Sequence, residues 1–210
     1  PFTATGSPIL EIQVVDIADE IAYDNHDLDD GITSGLIKES DLARVKLWAD
    51  KCRQVEPCAR DSENPRNEDE IRKYQVIRAL INEQVSDVIA QTETNIKNLR
   101  IRSVGDVVAA PKRLVAFSTR MQRLRSPMRQ FLMKNLYQHY RVIRMANKAC
   151  RFIESLFSAY LDNPEQLPPA TQSRLMCEDK ETVICDYIAG MTDRYALDEY
   201  KKFFEPYERV

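Results

Sequence analysis

Glycine is scarce in this chain of 210 residues, with five in all: Gly6, Gly31, Gly35, Gly105 and Gly190. No two are spaced to cradle a phosphate, which removes the dinucleotide fingerprint, the Walker loop and the serine nucleophile elbow. Histidine is scarcer, only His26 and His139. A His-rich tetrahedral metal site cannot be built from this chain alone, and a Ser-His-Asp triad has two choices, neither in a recognisable elbow. The cysteines, Cys52, Cys58, Cys150, Cys177 and Cys185, are odd in number and form no C-x-x-C pair. They read as reduced, partly buried thiols of a cytoplasmic protein. No apolar run approaches the ~18 residues of a membrane span, so no membrane partner is expected. The chain opens on Pro1 with no basic-then-apolar signal segment, and it reads as a fragment or a processed product.

What is present is helical periodicity, and no stretch of alternating β-branched residues stands out. The expected class is all-α, a multi-helix bundle of roughly seven helices by this pattern. Apolar spacing predicts a first helix over Ile9 to Asp27, broken by Gly31 to Gly35, and a second from a Ser40 cap to Val55 with Trp48 as core anchor. The polar stretch Glu56 to Arg66 reads as a mobile loop, and Asn67 with Glu70 as a capping box opening a long helix to Asn98. Ser103 to Pro111 is a connector. Lys112 to Arg125 is helical, Ser126-Pro127 restarts the chain, and that helix reaches Tyr160 before Asn163-Pro164 ends it. A short helix over Thr171 to Met176 and a last one over Lys180 to Phe204 follow.

The net charge of −3 hides an asymmetry. From Pro1 to Ile37 there is no lysine or arginine, while Glu11, Asp16, Asp19, Glu20, Asp24, Asp27, Asp29 and Asp30 are acidic. From Lys112 to Arg151 there is no aspartate or glutamate among eleven lysines and arginines. An acidic element that holds a cation and a basic element that holds phosphates are two halves of a metal-assisted phosphate site. The blander alternative is two solvated faces that pair as salt bridges. Asp19, Tyr23 and Asp27 recur every four residues, so two carboxylates and a phenol share one helix face within about 80° of drift. Acids from Asp24 to Asp30 sit at the unfavourable end of the helix dipole and need some other reason.

The run Glu11 to Gly31 resembles part of the deoxyguanosinetriphosphate triphosphohydrolase family, among the HD-domain metal phosphohydrolases, and Phe131 to Val142 and Val183 to Leu197 agree with it in order. The resemblance implies the C-terminal portion of an HD-domain-like bundle. Residues 1–110 would be the second part of the catalytic helical domain, and residues 111–210 a C-terminal helical region bearing the basic phosphate-binding helix. It implies that Asp19 is the final aspartate ligand of a divalent metal, magnesium or manganese, and that Tyr23 and Asp27 face the nucleotide. Arg129, Tyr137 and Gln138 match a stretch that contacts phosphate, sugar and base, a role that suits the arginine fork. The family's histidine and His-Asp doublet belong upstream of Asp19, and no histidine precedes His26. His26-Asp27 is therefore a decoy pair, with side chains about 100° apart on a helix and His26 exposed or capping.

The implied activity is metal-dependent hydrolysis of a deoxynucleoside triphosphate (dNTP), dGTP in the family's name, to deoxynucleoside and triphosphate. A metal-bound hydroxide would attack the α-phosphorus, with the basic helix neutralising charge. This chain alone, short of ligands, is expected to be inactive or nearly so. A homo-oligomer is expected as well. The alternative reading is a nucleic-acid-binding or regulatory helical domain without chemistry of its own, single-stranded DNA lying on the 112–151 stretch with Phe131, Tyr137 and Tyr140 stacking bases.

Overall fold

Helix α1 (Leu10–Thr33) carries through Gly31 instead of stopping at Asp27. Gly31 is buried, and a Cβ built on it would stand 2.6 Å from Ile37 Cδ1. Its missing side chain makes room for the chain that folds back after the helix. The turn itself falls at Gly35, whose φ of 72° is in the left-handed region that glycine enters without strain. The structure is a computed structural model that describes residues 6–55 and 65–207, the side chains of 65–67 excepted. Its regular elements are all helical, and no strand occurs among the described residues, so the all-α multi-helix class holds.

The second expected helix is two, α2 (Glu39–Leu42) and α3 (Lys46–Gln54). Ser40 lies inside α2, and the cap position is Lys38. Val45, with extended backbone, sits between them, which lets Leu42, Val45, Leu47 and Trp48 all bury. Trp48 is the expected anchor, 2% exposed. The expected loop over Glu56 to Arg66 lies for the most part outside the described residues. Helix α4 (Pro65–Asn98) begins before Asn67, so that residue is not its cap.

The connector holds a helix, α5 (Val104–Val108), with its own capping box. Ser103 Oγ accepts from the Asp106 N–H at 3.2 Å, and Asp106 Oδ2 accepts from the Ser103 N–H at 2.9 Å. Helix α6 (Thr119–Leu132) starts later than expected, on a Ser118 cap, and runs through Pro127. Met121, Arg125, Met128 and Leu132 form one buried face on both sides of the proline, and burying that face outweighs the one lost backbone bond. Pro127 is exposed, so the carbonyl it frees can meet water. A π turn (Met133–Tyr137) follows, then a bend at Gln138, where the expected continuous helix to Tyr160 is interrupted.

The chain divides there into two compact units, Pro1–His139 and Tyr140–Val210. In the first, Leu28, Leu80, Trp48, Met121, Met128 and Leu132 belong to a common core contributed by α1, α3, α4 and α6. The basic helix α6, grouped from sequence with residues 111–210, thus packs on α1 geometrically. In the second unit, α7 (Tyr140–Asp162), α9 (Lys180–Ala189) and α10 (Asp193–Phe204) pack around Leu156, Tyr160, Leu167 and Ile184, and a short α8 (Pro169–Gln172) lies between α7 and α9 in the chain. The expected last helix breaks at Gly190, and Thr192 caps α10 by accepting from the Tyr195 N–H at 3.3 Å. Among the described cysteines none is in a disulfide. Cys52 is half-buried, and Cys150, Cys177 and Cys185 are exposed rather than partly buried.

Candidate functional site

At about 100° per residue, Asp16, Glu20 and Asp24 form one stripe of α1, and Asp19, Tyr23 and Asp27 the stripe beside it. The first stripe faces arginines. Asp16 Oδ2 accepts from Arg113 Nη1 at 2.8 Å. Glu20 Oε1 accepts from Arg129 Nη1 at 2.5 Å and stands 3.3 Å from Arg125 Nη1. Asp24 Oδ2 accepts from Arg125 Nη2 at 2.5 Å, with its Oδ1 3.5 Å from Arg129 Nε. Two acids and two arginines thus close a ring of four charges in which each touches both of the opposite sign. Its inner half is dry: the Asp24 and Arg125 side chains are each 5% exposed. Its outer half is wet, Glu20 34% and Arg129 53% exposed. The Arg125 guanidinium also lies 3.9 Å from the centre of the Phe117 ring, and its Nε has no hydrogen-bond partner. Burial holds the Asp24 carboxyl above its ordinary pKa despite the opposing pull of Arg125 and Arg129.

The second stripe meets the π turn. Tyr137 Oη donates to Asp27 Oδ2, and the Tyr23 and Tyr137 rings lie 6.3 Å apart at 30°. Burial, then the Asp27 carboxylate, push the Tyr137 phenol well above its usual range, so it stays a donor at any ordinary pH. The π turn sets this up: the Gln138 N–H reaches back to Met133 O at 3.0 Å, and buried Leu136 anchors the turn in the core. Near the α1 C-terminus, Asp29 pairs with buried Lys73 of α4 at 2.7 Å. Asp24, Asp27 and Asp29 each have a specific partner, which is why acids stand at that end of the dipole.

Two clefts open on this surface. One of about 340 Å³ is lined by Tyr23, Asp24, Arg129, Leu132, Met133 and Tyr137. The other, about 600 Å³, lies between Asp16 and Glu20 on one side and Arg113, Phe117, Arg125 and Arg129 on the other. Arg129 is a wall of both.

Of the residues singled out from sequence, Tyr23, Asp27, Arg129 and Tyr137 come together. Gln138 is exposed past the π turn and lines neither cleft. Asp19 is exposed and lies on the outward side of the Tyr23 stripe. His26 is exposed, and His139 half-buried. Among the described residues no three His, Cys, Asp or Glu side chains stand close enough to hold a metal ion. Asp19 stands in no such cluster, and one carboxylate alone does not supply the several oxygen ligands of a hard divalent ion, so these residues alone do not fit the ion. Sequence reasoning counted Glu20, Asp24 and Arg125 as charge but missed their joint role. The signal was there, as four-residue spacings 16-20-24 and 125-129 of opposite sign. Arg113, Arg125 and Arg129 thereby make with α1 the ion pairing that the blander alternative foresaw.

Residues 115–202 match the phosphohydrolase-associated domain. It is similar to a deoxyguanosinetriphosphate triphosphohydrolase-like protein of Geobacter metallireducens, 45% identical over 203 residues, and to its counterparts of Geobacter sulfurreducens at 42% and Ralstonia nicotianae at 45%. Each match covers 97% of this chain and 51% of the relative. The resemblance to proteins of that name therefore holds over nearly the whole chain, which spans about half the length of the curated relatives it matches. No helix among the described residues is long and apolar enough to cross a membrane.

Proposed function

We propose that this chain forms the nucleotide-facing part of a metal-dependent dNTP triphosphohydrolase, dGTP being the substrate class that the relatives' name points to. The observation that carries the reading is the convergence of Tyr23, Arg129 and Tyr137 on one cleft beside the Asp19 stripe, with Asp27 accepting from the Tyr137 hydroxyl. Its size suits a small polar ligand. Arg129 offers a fork to phosphate oxygens. The Tyr137–Asp27 pair, its one phenol proton held between the two, offers acceptor oxygens to a sugar hydroxyl, and the exposed Tyr23 ring a face for the sugar to pack on. Asp19 is one ligand of the magnesium or manganese ion, and the remaining ligands belong to protein outside these residues.

The surface around Asp19 supports that last point. Ile12, Val15, Asp19 and Tyr23 recur at spacings of three and four along the outward side of α1, and Ile12, Val15 and Tyr23 are 49%, 66% and 59% exposed. Apolar side chains in a row on both sides of a lone carboxylate fit a face that packs against further polypeptide.

Reconstitution tests the reading. The chain is mixed with the half of the Geobacter metallireducens relative that it does not match, and triphosphate release from dGTP is followed with manganese present. Neither piece alone is expected to release triphosphate, the mixture is, and Asp19→Asn in this chain abolishes the gain. Robust release by the chain alone, or undiminished release by the Asp19→Asn mixture, overturns the proposal.

A further inference from the structure

The ring of four charges is built unevenly. Asp24 and Arg125 lie away from water, where breaking a pair strands a charge. Glu20 and Arg129 lie in solvent at 2.5 Å, where such a contact is weak and screened. Glu20 also stands 3.3 Å from Arg125 Nη1, so it has a second cation to turn to if Arg129 is taken from it. Arg129 walls both clefts, so an anion entering either reaches the guanidinium that Glu20 holds.

We infer that Glu20 is a built-in competitor for the phosphate-binding arginine. In the unliganded protein its carboxylate occupies Arg129. A polyphosphate, offering two oxygens to the fork at once, displaces it, and Glu20 shifts its contact to Arg125 while the inner Asp24–Arg125 pair stays closed. Glu20 thereby sets a threshold: an anion binds only if it engages Arg129 better than a tethered carboxylate does. This rests on the reading of Arg129 as the phosphate contact, and it adds the residue that regulates that contact.

The test measures binding of inorganic tripolyphosphate to the chain by titration calorimetry at fixed ionic strength. Glu20→Gln removes the competing charge and is expected to tighten binding by about threefold, equivalent to about 0.7 kcal/mol. Glu20→Asp keeps the charge on a shorter stem that no longer spans to Arg129, and it is expected to tighten binding too. It also carries the test should Glu20→Gln fail to fold, as judged by Trp48 fluorescence. Adding Arg129→Ala to either variant is expected to erase the gain. Equal or weaker binding by the Glu20 variants, or tightening in Glu20→Gln with none in Glu20→Asp, overturns the inference, the latter by making the effect one of general charge. If Arg129→Ala in the otherwise native chain leaves binding unchanged, the reading of Arg129 itself fails. If that variant loses binding while both Glu20 variants match the native chain, only the competitor fails.

Discussion

Arg125→Met is the most exacting perturbation of this molecule. Methionine keeps an unbranched stem against Phe117 and deletes the guanidinium. Asp24, 5% exposed, would keep only the Arg129 Nε contact at 3.5 Å. Removing one partner of a buried pair costs about 3–5 kcal/mol, whereas an exposed pair is worth about 0.2–1 kcal/mol. The burial of both partners places this pair in the first class. With a slope of about 2 kcal/mol per molar urea, the unfolding midpoint of the first unit is expected to fall by about 2 M. Trp48, the sole tryptophan and a member of the same core, reports that transition. The double variant Arg125→Met with Asp24→Leu removes the stranded charge and is expected to recover at least half of the loss. The pH dependence has a sign. An acid whose pKa is raised in the fold holds its proton longer folded than unfolded, so its contribution to stability declines as pH rises from about 4 through the raised value. Without Arg125 that decline deepens, and the deficit of the single variant is expected to be smaller near about pH 5 than near about pH 8. A loss under about 1 kcal/mol, or a double variant no more stable than the single, refutes the reasoning.

Two further outcomes follow from polar groups that tie elements of the first unit. Gln13 is 1% exposed and its Oε1 accepts from the backbone N–H groups of Leu114 and Val115 at 2.7 and 3.1 Å; Gln13→Leu orphans both and is expected to cost about 2–4 kcal/mol in urea unfolding, an unchanged midpoint contradicting the assignment. Glu83 of α4 accepts from Lys51 of α3 at 2.8 Å and Arg120 of α6 at 3.1 Å, and although burial pushes its carboxyl up, those two bonds prevail and hold it below the usual 4.5. That stabilisation is present above the unfolded value and lost as pH falls through the lowered one, so Glu83→Gln is expected to flatten the acid limb of the Trp48-monitored stability profile; an acid limb as steep as the native one would count against it.

The helices were legible wherever burial follows one period, as with Trp48 in α3, and illegible where a residue's usual habit met a packed neighbour. Gly31 and Pro127 are breakers by habit. Ile37 against the one and the Met121–Leu132 face around the other turn them into helix interior. The Ser103–Asp106 box was readable from its three-residue spacing, but no long apolar run follows it to draw the eye. At the candidate site, Asp19, Tyr23 and Asp27 share a region of α1 as their four-residue spacing requires. That Tyr137 closes onto Asp27 was not readable, because a helix of regular pitch would have aimed it elsewhere. Gln138, one residue further, shows the other side of that rule: its side chain falls beyond the bend and misses the cleft.

The widened turn from Met133 to Tyr137 makes the position of the phenol a matter of residue count. The π turn absorbs one extra residue, and the same residues wound at ordinary α pitch would carry Tyr137 roughly a quarter turn further round. Asp27 would lose its donor while every side chain named in the cleft survived in the sequence. Length, at this one place, carries information that composition does not.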